Sequence, residues 1–273
     1  MIEYQLFEVG FCKHCARMTL QNAHWKQSEY PALCALIKHP TRGYILFDTG
    51  YSNRFYELTR KFPFSLYRNL TPVLLKKSLK EQLAEHNIQS SEIKGVVISH
   101  FHADHIGGLK DFPNAQFFCH PDAISNIHQK KGIKALMQGF LPGLLPKDFY
   151  ERLVLLKNEV ALNANLFPFT TGFDLFKDGK LIAIPLPGHA KGQIGLYFKA
   201  AQETFLLADS CWHQETFKKM IFPSNLTYLI HDNKESYQQT IKKLHLLFKN
   251  NKKIDMIPSH CQHIRARLSG IRA

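Results

Sequence analysis

Apolar positions along this chain fall in short runs, and the runs form two blocks separated by about fifty residues with a different texture. In the first block, Leu33-Cys34-Ala35-Leu36-Ile37-Lys38 and Tyr44-Ile45-Leu46-Phe47 flank His39-Pro40-Thr41-Arg42-Gly43, which predicts a hairpin. Residues 73–86 set Val73, Leu74, Leu75, Leu79, Leu83 and Ala84 among Lys and Glu, the pattern of an amphipathic helix, with Pro72 suited to its first turn. Gly95-Val96-Val97-Ile98 reads as a buried strand, and Ala115-Gln116-Phe117-Phe118-Cys119 as another, with a helix opened by His120-Pro121-Asp122. In the second block, Phe173–Phe176 and Leu181–Ile184 flank Lys177-Asp178-Gly179-Lys180, a strong tight-turn signal. Strands at 196–198 and 204–208 follow, then an amphipathic helix over 234–249 and a last short strand at 254–257.

Between the blocks, residues 121–171 show no strand alternation and are broken by Gly and Pro, with a further short helix expected over 148–156. Two readings fit such an excursion: a partly helical insertion that lies over a site as a lid, or an ordinary packing extension. On the first reading Phe140, Leu141 and Leu144 line an entrance and touch an apolar part of a substrate. The whole chain, residues 1–273, is then one domain carrying that insertion.

Bulk composition changes this picture little. At 45% hydrophobic and 21% charged it is that of a soluble globular protein, and no apolar run approaches the ~20 residues of a membrane span. Met1-Ile2-Glu3-Tyr4-Gln5 has neither a basic nor an apolar leader segment, which points to the cytoplasm. Six cysteines in 273 residues make no disulfide framework. Cys12-Lys13-His14-Cys15 has the spacing of half a zinc site or a redox pair, but no second such pair exists, and an incidental pair fits as well. The net charge of +13 admits nucleic acid as a partner. Its lysines are dispersed in short pairs, however, without the aromatic-basic register that tracks a strand, so a small-molecule partner is favoured.

Chemistry concentrates where the strand 95–98 ends. Ser99-His100-Phe101-His102-Ala103-Asp104-His105 places three histidines and an aspartate within six residues. In an extended segment His100 and His102 point to the same side and reach one ion together, while a turn towards helix brings Asp104 and His105 to a second. Imidazole and carboxylate form a ligand set for zinc or a similar borderline ion. Gly107-Gly108 suits a tight backbone passage beside a site. Further on, His189 sits between Gly188 and Gly192, Asp209 ends an apolar run, and His260 follows the last strand.

The order His100-x-His102-x-Asp104-His105, Pro187-Gly188-His189-x-x-Gly192, Asp209, His260 resembles the metallo-β-lactamase superfamily of metal hydrolases, and Leu46-Phe47-Asp48-Thr49-Gly50 matches its early strand-end motif. The resemblance implies an α/β fold, a four-layer αββα sandwich. It also implies two divalent ions, zinc foremost with manganese or iron as alternatives. His100, His102 and His189 would hold the first, Asp104, His105 and His260 the second, and Asp209 would bridge them. Asp48 would orient a ligand histidine, and Asp104 and Asp209 would be the catalytic carboxylates. Within the superfamily the chain is most similar to the quorum-quenching lactonases and related ester or organophosphate hydrolases. It differs from them at position 212, where those lactonases carry Tyr and this chain has Trp212. The resemblance thus implies a binuclear hydrolase using a metal-bridging hydroxide on a small ester or lactone. A phosphodiesterase, phosphotriesterase or nuclease with the same ions is the alternative, and a non-hydrolytic metal-binding or redox protein a third. With Tyr absent at 212, the oxyanion contact falls to a metal or to a neighbour such as His213 or Tyr228.

Overall fold

The alternating segments resolve into thirteen strands in the computed structural model, which describes residues 1–268. In chain order they are β1 (Glu3–Cys15), β2 (Gln27–His39), β3 (Gly43–Phe47), β4 (Val73–Leu74), β5 (Ile93–Val97), β6 (Gln116–Cys119) and β7 (Leu153–Leu155). There follow β8 (Glu159–Ala161), β9 (Thr171–Asp174), β10 (Ile182–Pro185), β11 (Ile194–Lys199), β12 (Glu203–Ala208) and β13 (Asp255–Pro258). The first seven form one sheet in the order β4-β1-β2-β3-β5-β6-β7, and the other six a second, β13-β12-β11-β10-β9-β8. With the helices between them this is a mixed α/β chain. It divides into two compact units, one of Glu3–Lys13 with Pro31–Leu155, the other of Met1–Ile2, His14–Tyr30 and Leu156 onward.

In the unit built on Pro31–Leu155, β3, β5, β6 and β7 run parallel. Parallel strands are covered on both faces, and Ile45, Leu46, Val96, Val97 and Phe117 are accordingly all buried. The expected hairpin is present as β2 and β3, with Ala35 opposite Phe47 and His39 opposite Gly43. A strand at Glu3–Cys15 is not among the expected elements, although Phe7, Val9 and Phe11 are buried at strand spacing.

Two expected helices are corrected. The helix predicted over 73–86 occupies only Leu79–Glu85, because Ser78 stops it: the Ser78 side chain accepts from the Glu81 N–H while the Glu81 carboxylate accepts from the Ser78 N–H. Val73 and Leu74 instead pair with β1, and the Pro72 carbonyl accepts from the Lys13 N–H at 2.9 Å. No helix forms over 148–156. The Arg152 guanidinium donates to the carbonyls of Phe112 and Ala115 and lies 4.4 Å over the Phe117 ring, which delivers Leu153–Leu155 to β6 as a strand. The stretch 121–171 is thus shared between the units, its first part ending as β7 and its second opening with β8. Phe140, Leu141 and Leu144 are buried side chains, with Phe140 edge-on to Phe101. They pack as core rather than line an entrance; the exposed apolar chains here are Ile133 (55%) and Met137 (73%).

In the other unit β9 and β10 pair antiparallel with Ile182 opposite Asp174, but residues 175–181 connect them as a longer bend rather than the expected tight turn. The helix Lys234–Asn250 forms as predicted, capped by the Asn233 side chain, which accepts from the Ser236 N–H at 2.7 Å. Its Tyr237, Ile241, Leu244 and Leu247 pack in one cluster with Ile184, Phe205 and Leu207 of the second sheet and with Leu186 just past β10. Each such side chain contributes roughly 1.5–3 kcal/mol by leaving water. No helix among the described residues is long and apolar enough to cross a membrane.

Candidate functional site

The parallel register of β3 and β5 sets Phe47 beside Val97, so Asp48 leaves its strand next to Ser99. The Asp48 N–H donates to the Val97 carbonyl at 3.0 Å, and its backbone turns left-handed at φ +59°. The buried carboxylate then accepts from the Ser99 N–H at 2.8 Å, the Ser99 hydroxyl at 2.7 Å and His105 Nδ1 at 2.7 Å. Because the Ser99 hydroxyl proton goes to Asp48, Ser99 Oγ accepts from His100 Nδ1, 3.0 Å away. Both rings therefore carry their proton on Nδ1 and present the Nε2 lone pair. Sequence reasoning assigns Ser99 no role, yet its hydroxyl sets the His100 tautomer, as Asp48 sets that of His105.

The four donors of the cluster come together. The ring of His100 lies 4.4 Å from that of His102 and 4.0 Å from that of His105, and His105 Nε2 is 3.6 Å from Asp104 Oδ2. Thr49 fixes the turn beneath them, donating its N–H and hydroxyl to the His105 carbonyl at 2.8 and 2.9 Å. The paired glycines serve this approach: a Cβ on Gly107 would stand 2.4 Å from the Gly50 carbonyl oxygen. His102 is the one half-buried member. Gly139 backs its ring so closely that a Cβ there would lie 2.5 Å from His102 Cδ2.

The second unit supplies the other three expected ligands from strand ends. After β10 the chain passes Gly188, at φ +127° and so near the helix Lys234–Asn250 that a Cβ would meet the Tyr237 nitrogen at 2.1 Å. The carbonyls of Pro187, Gly188 and His189 accept from the Thr240 hydroxyl and from the N–H groups of Asn233 and Asp232, which anchors the loop. β12 and β13 are parallel, with Ala208 beside Pro258, and the Ser259 N–H donates to the Ala208 carbonyl. That register brings His260 Nε2 to 3.0 Å from Asp209 Oδ2, and His189 Nε2 lies 3.4 Å from the same oxygen. His231, which no sequence signal marks, stands edge-on to the His189 ring at 4.9 Å.

Donor spacing tests whether these residues suit a metal. Two ligand atoms on a tetrahedral ion with bonds of about 2.05 Å lie about 3.3 Å apart. The pairs His105–Asp104 at 3.6 Å, His189–Asp209 at 3.4 Å and His260–Asp209 at 3.0 Å bracket that value. The ligand atoms of His100 and His102 are likewise within 4.8 Å of each other. All seven are imidazole nitrogens or carboxylate oxygens, and within each unit the set fits a divalent ion.

Three other residues are settled by their partners. Trp212 donates its indole N–H to Asp209 Oδ2 at 3.0 Å. His213 is buried beside Thr19 and Tyr30 and is held down to about pKa 4, chiefly by burial. Tyr228 packs edge-on against His231 and Tyr237. Cys12 and Cys15 stand three apart on β1, on opposite faces of the strand, and neither is in a disulfide.

Residues 28–208 match the family model described as the metallo-beta-lactamase superfamily. The metallo-hydrolase mfmC of Annulohypoxylon moriforme is 26% identical over 197 residues, covering 67% of this chain. The match takes in 48% of that protein, so the chain spans about half the length of this relative. Among solved structures, an N-acyl homoserine lactone hydrolase with the product N-hexanoyl-L-homoserine bound at its catalytic metal centre superposes with a TM-score of 0.70. It is 17% identical, over 97% of this chain and 95% of that one. A dizinc quorum-quenching lactonase in complex with a product gives a TM-score of 0.64 at 16% identity, over 95% and 87% of the two chains. At these identities the likeness to the solved structures is one of fold.

Proposed function

The chain belongs to the metallo-beta-lactamase superfamily, and we propose that it is a binuclear metal-dependent hydrolase of small esters or lactones. In this reading His100, His102 and His189 hold one divalent ion, Asp104, His105 and His260 hold a second, and Asp209 serves both. The observation that carries it is the locked tautomer of His100 and His105. Asp48 and Ser99 fix the protons on Nδ1 and leave both Nε2 lone pairs among further imidazole and carboxylate donors at ligand spacing. Zinc is the proposed resident, with manganese and iron also compatible with a ligand set of imidazole nitrogen and carboxylate oxygen.

When bound, a pair of divalent ions supplies a nucleophile at neutral pH and positive charge for the developing oxyanion. The protein's own part is orientation and proton handling. Asp48 keeps the His105 ring in one tautomer and one plane through the reaction. Asp104, whose carboxylate lies beside His105 Nε2, takes the proton released on attack and returns it to the leaving oxygen. His213 stays neutral at pH 7 and is committed to Thr19, so it offers no cationic oxyanion contact.

A carboxylic substrate is favoured because the lactonase neighbours in their solved complexes carry acyl-homoserine products. The +13 net charge favours a second reading, phosphodiester or nucleic-acid hydrolysis by the same residues. Elemental analysis and a panel of lactones, aryl esters, thioesters and phosphodiesters test the proposal together. The expected result is about two ions per chain and hydrolysis of an acyl lactone or aryl ester, with kcat/KM nearly flat in salt. Phosphodiesters or RNA cleaved at least tenfold better than every ester, with affinity falling steeply in salt, would install the second reading.

A further inference from the structure

Trp212 stands three residues beyond Asp209, on the turn that follows β12. Its Nε1 donates to Asp209 Oδ2 at 3.0 Å. Aromatic rings enclose the indole: His260 at 4.4 Å between centroids, Tyr30 at 5.1 Å and His14 at 5.5 Å. An indole has one N–H, no acceptor and no proton to exchange near neutral pH. With that N–H given to Asp209, the side chain has no polar atom left for a substrate. A tyrosine at the same place would bring a hydroxyl that donates, accepts and ionises. The Asp209 carboxylate, for its part, is buried and gains a charge-assisted hydrogen bond in surroundings where packed rings keep water off it.

We propose that Trp212 is a positioning residue: its indole N–H holds Asp209 in the orientation that serves the ions, sets the metal affinity of the site, and withdraws position 212 from substrate binding. The inference rests on the reading of Asp209 as a ligand. It gives the departure from Tyr at this position a physical content, because a hydrogen bond to a ligand takes the place of one to the substrate. Loss of a partner that orients a ligand typically weakens metal binding 10–100-fold.

The chain has only one other tryptophan, Trp25, which is 72% exposed, so a Trp25→Phe background leaves Trp212 as the sole indole. In the metal-free protein labelled with ¹⁵N, the Trp212 indole proton should resonate downfield of the Trp25 signal and exchange slowly. It should move upfield in Asp209→Ala. An indole signal that exchanges rapidly and does not respond to Asp209→Ala overturns the hydrogen bond. Zinc affinity, read by competition with a chromophoric chelator, then tests the consequence. In the Trp25→Phe background, Trp212 is replaced biosynthetically by benzothienylalanine, which keeps the ring shape and puts sulfur where the N–H was. That protein should bind zinc about 10–100-fold more weakly, with Trp212→Phe weaker in the same direction. Equal affinity for the isostere and tryptophan, in a protein that takes up two ions, overturns the role of Trp212 alone. A wild type that binds no zinc overturns the ligand reading beneath it.

Discussion

Between pH 7 and about pH 4.5 the fold should lose about 2 kcal/mol at a single residue, His213. The side chain is buried, and its Nε2 lies 2.9 Å from Thr19 Oγ1. The Thr19 hydroxyl donates to the Ala16 carbonyl, so towards His213 and the Tyr30 hydroxyl it accepts. His213 is thus neutral with its proton on Nε2, and a second proton on Nδ1 would be charged in a desolvated place. Burial is the main cause of a pKa held down from 6.5 to about 4; the charge of Glu215 works against it, and those of His263 and His260 with it. In the unfolded chain the ring takes its proton below about pH 6.5, whereas the native ring stays neutral to about pH 4. Stability therefore falls as pH drops through that window and is flat outside it. The gap, at 1.36 kcal/mol for each pH unit, amounts to about 3 kcal/mol in full, of which about 2 is reached by pH 4.5. Urea unfolding of chelator-treated wild type and His213→Gln at the two pH values isolates it, since every other titration is common to both proteins. Glutamine keeps an N–H for Thr19. Wild type should lose about 2 kcal/mol more than the variant; equal losses would refute the buried neutral ring.

Asp48→Asn removes an acceptor that three donors share, and zinc affinity should fall about 10–100-fold in a chelator competition; unchanged affinity counts against its hold on His105. Gly139→Ala combines φ +59° with a Cβ 2.5 Å from the His102 ring, so the purified variant should retain fewer ions than wild type by elemental analysis, and full retention would mean the ring moves without cost. Gly188→Ala drives a Cβ to within 2.1 Å of the Tyr237 nitrogen, and a thermal melt should show the largest loss of Tm among these variants, or no folded protein. A melt like the wild type's would show that the loop before His189 yields freely.

Local pattern determined much of this protein. The hairpin of β2 and β3 and the helix Lys234–Asn250 depend on period and turn chemistry within a few residues of each other, and both formed as read, whereas the tight turn expected at 177–180 is part of a longer connection between β9 and β10. The cluster His100, His102, Asp104, His105 is equally local, because strand geometry followed by one helical turn suffices to gather it. Where alternatives of similar local merit compete, partners far along the chain decide. Val73-Leu74 has helical company in sequence but a free strand edge beside it in space, and the Ser78 cap starts the helix only after the sheet pairing is made. Residues 153–155 become a strand because Arg152 is tied to carbonyls some forty residues away. Phe140 and Leu144 look like mouth residues among Gly and Pro, yet burial is a property of what packs on them. The same holds for the chemistry. Sequence supplies Asp48, Ser99 and Trp212 as residue types, but a hydrogen-bond partner is set by register. Only the parallel pairing of β3 with β5 gives Asp48 its three donors, and only the turn after β12 aims the Trp212 N–H at Asp209.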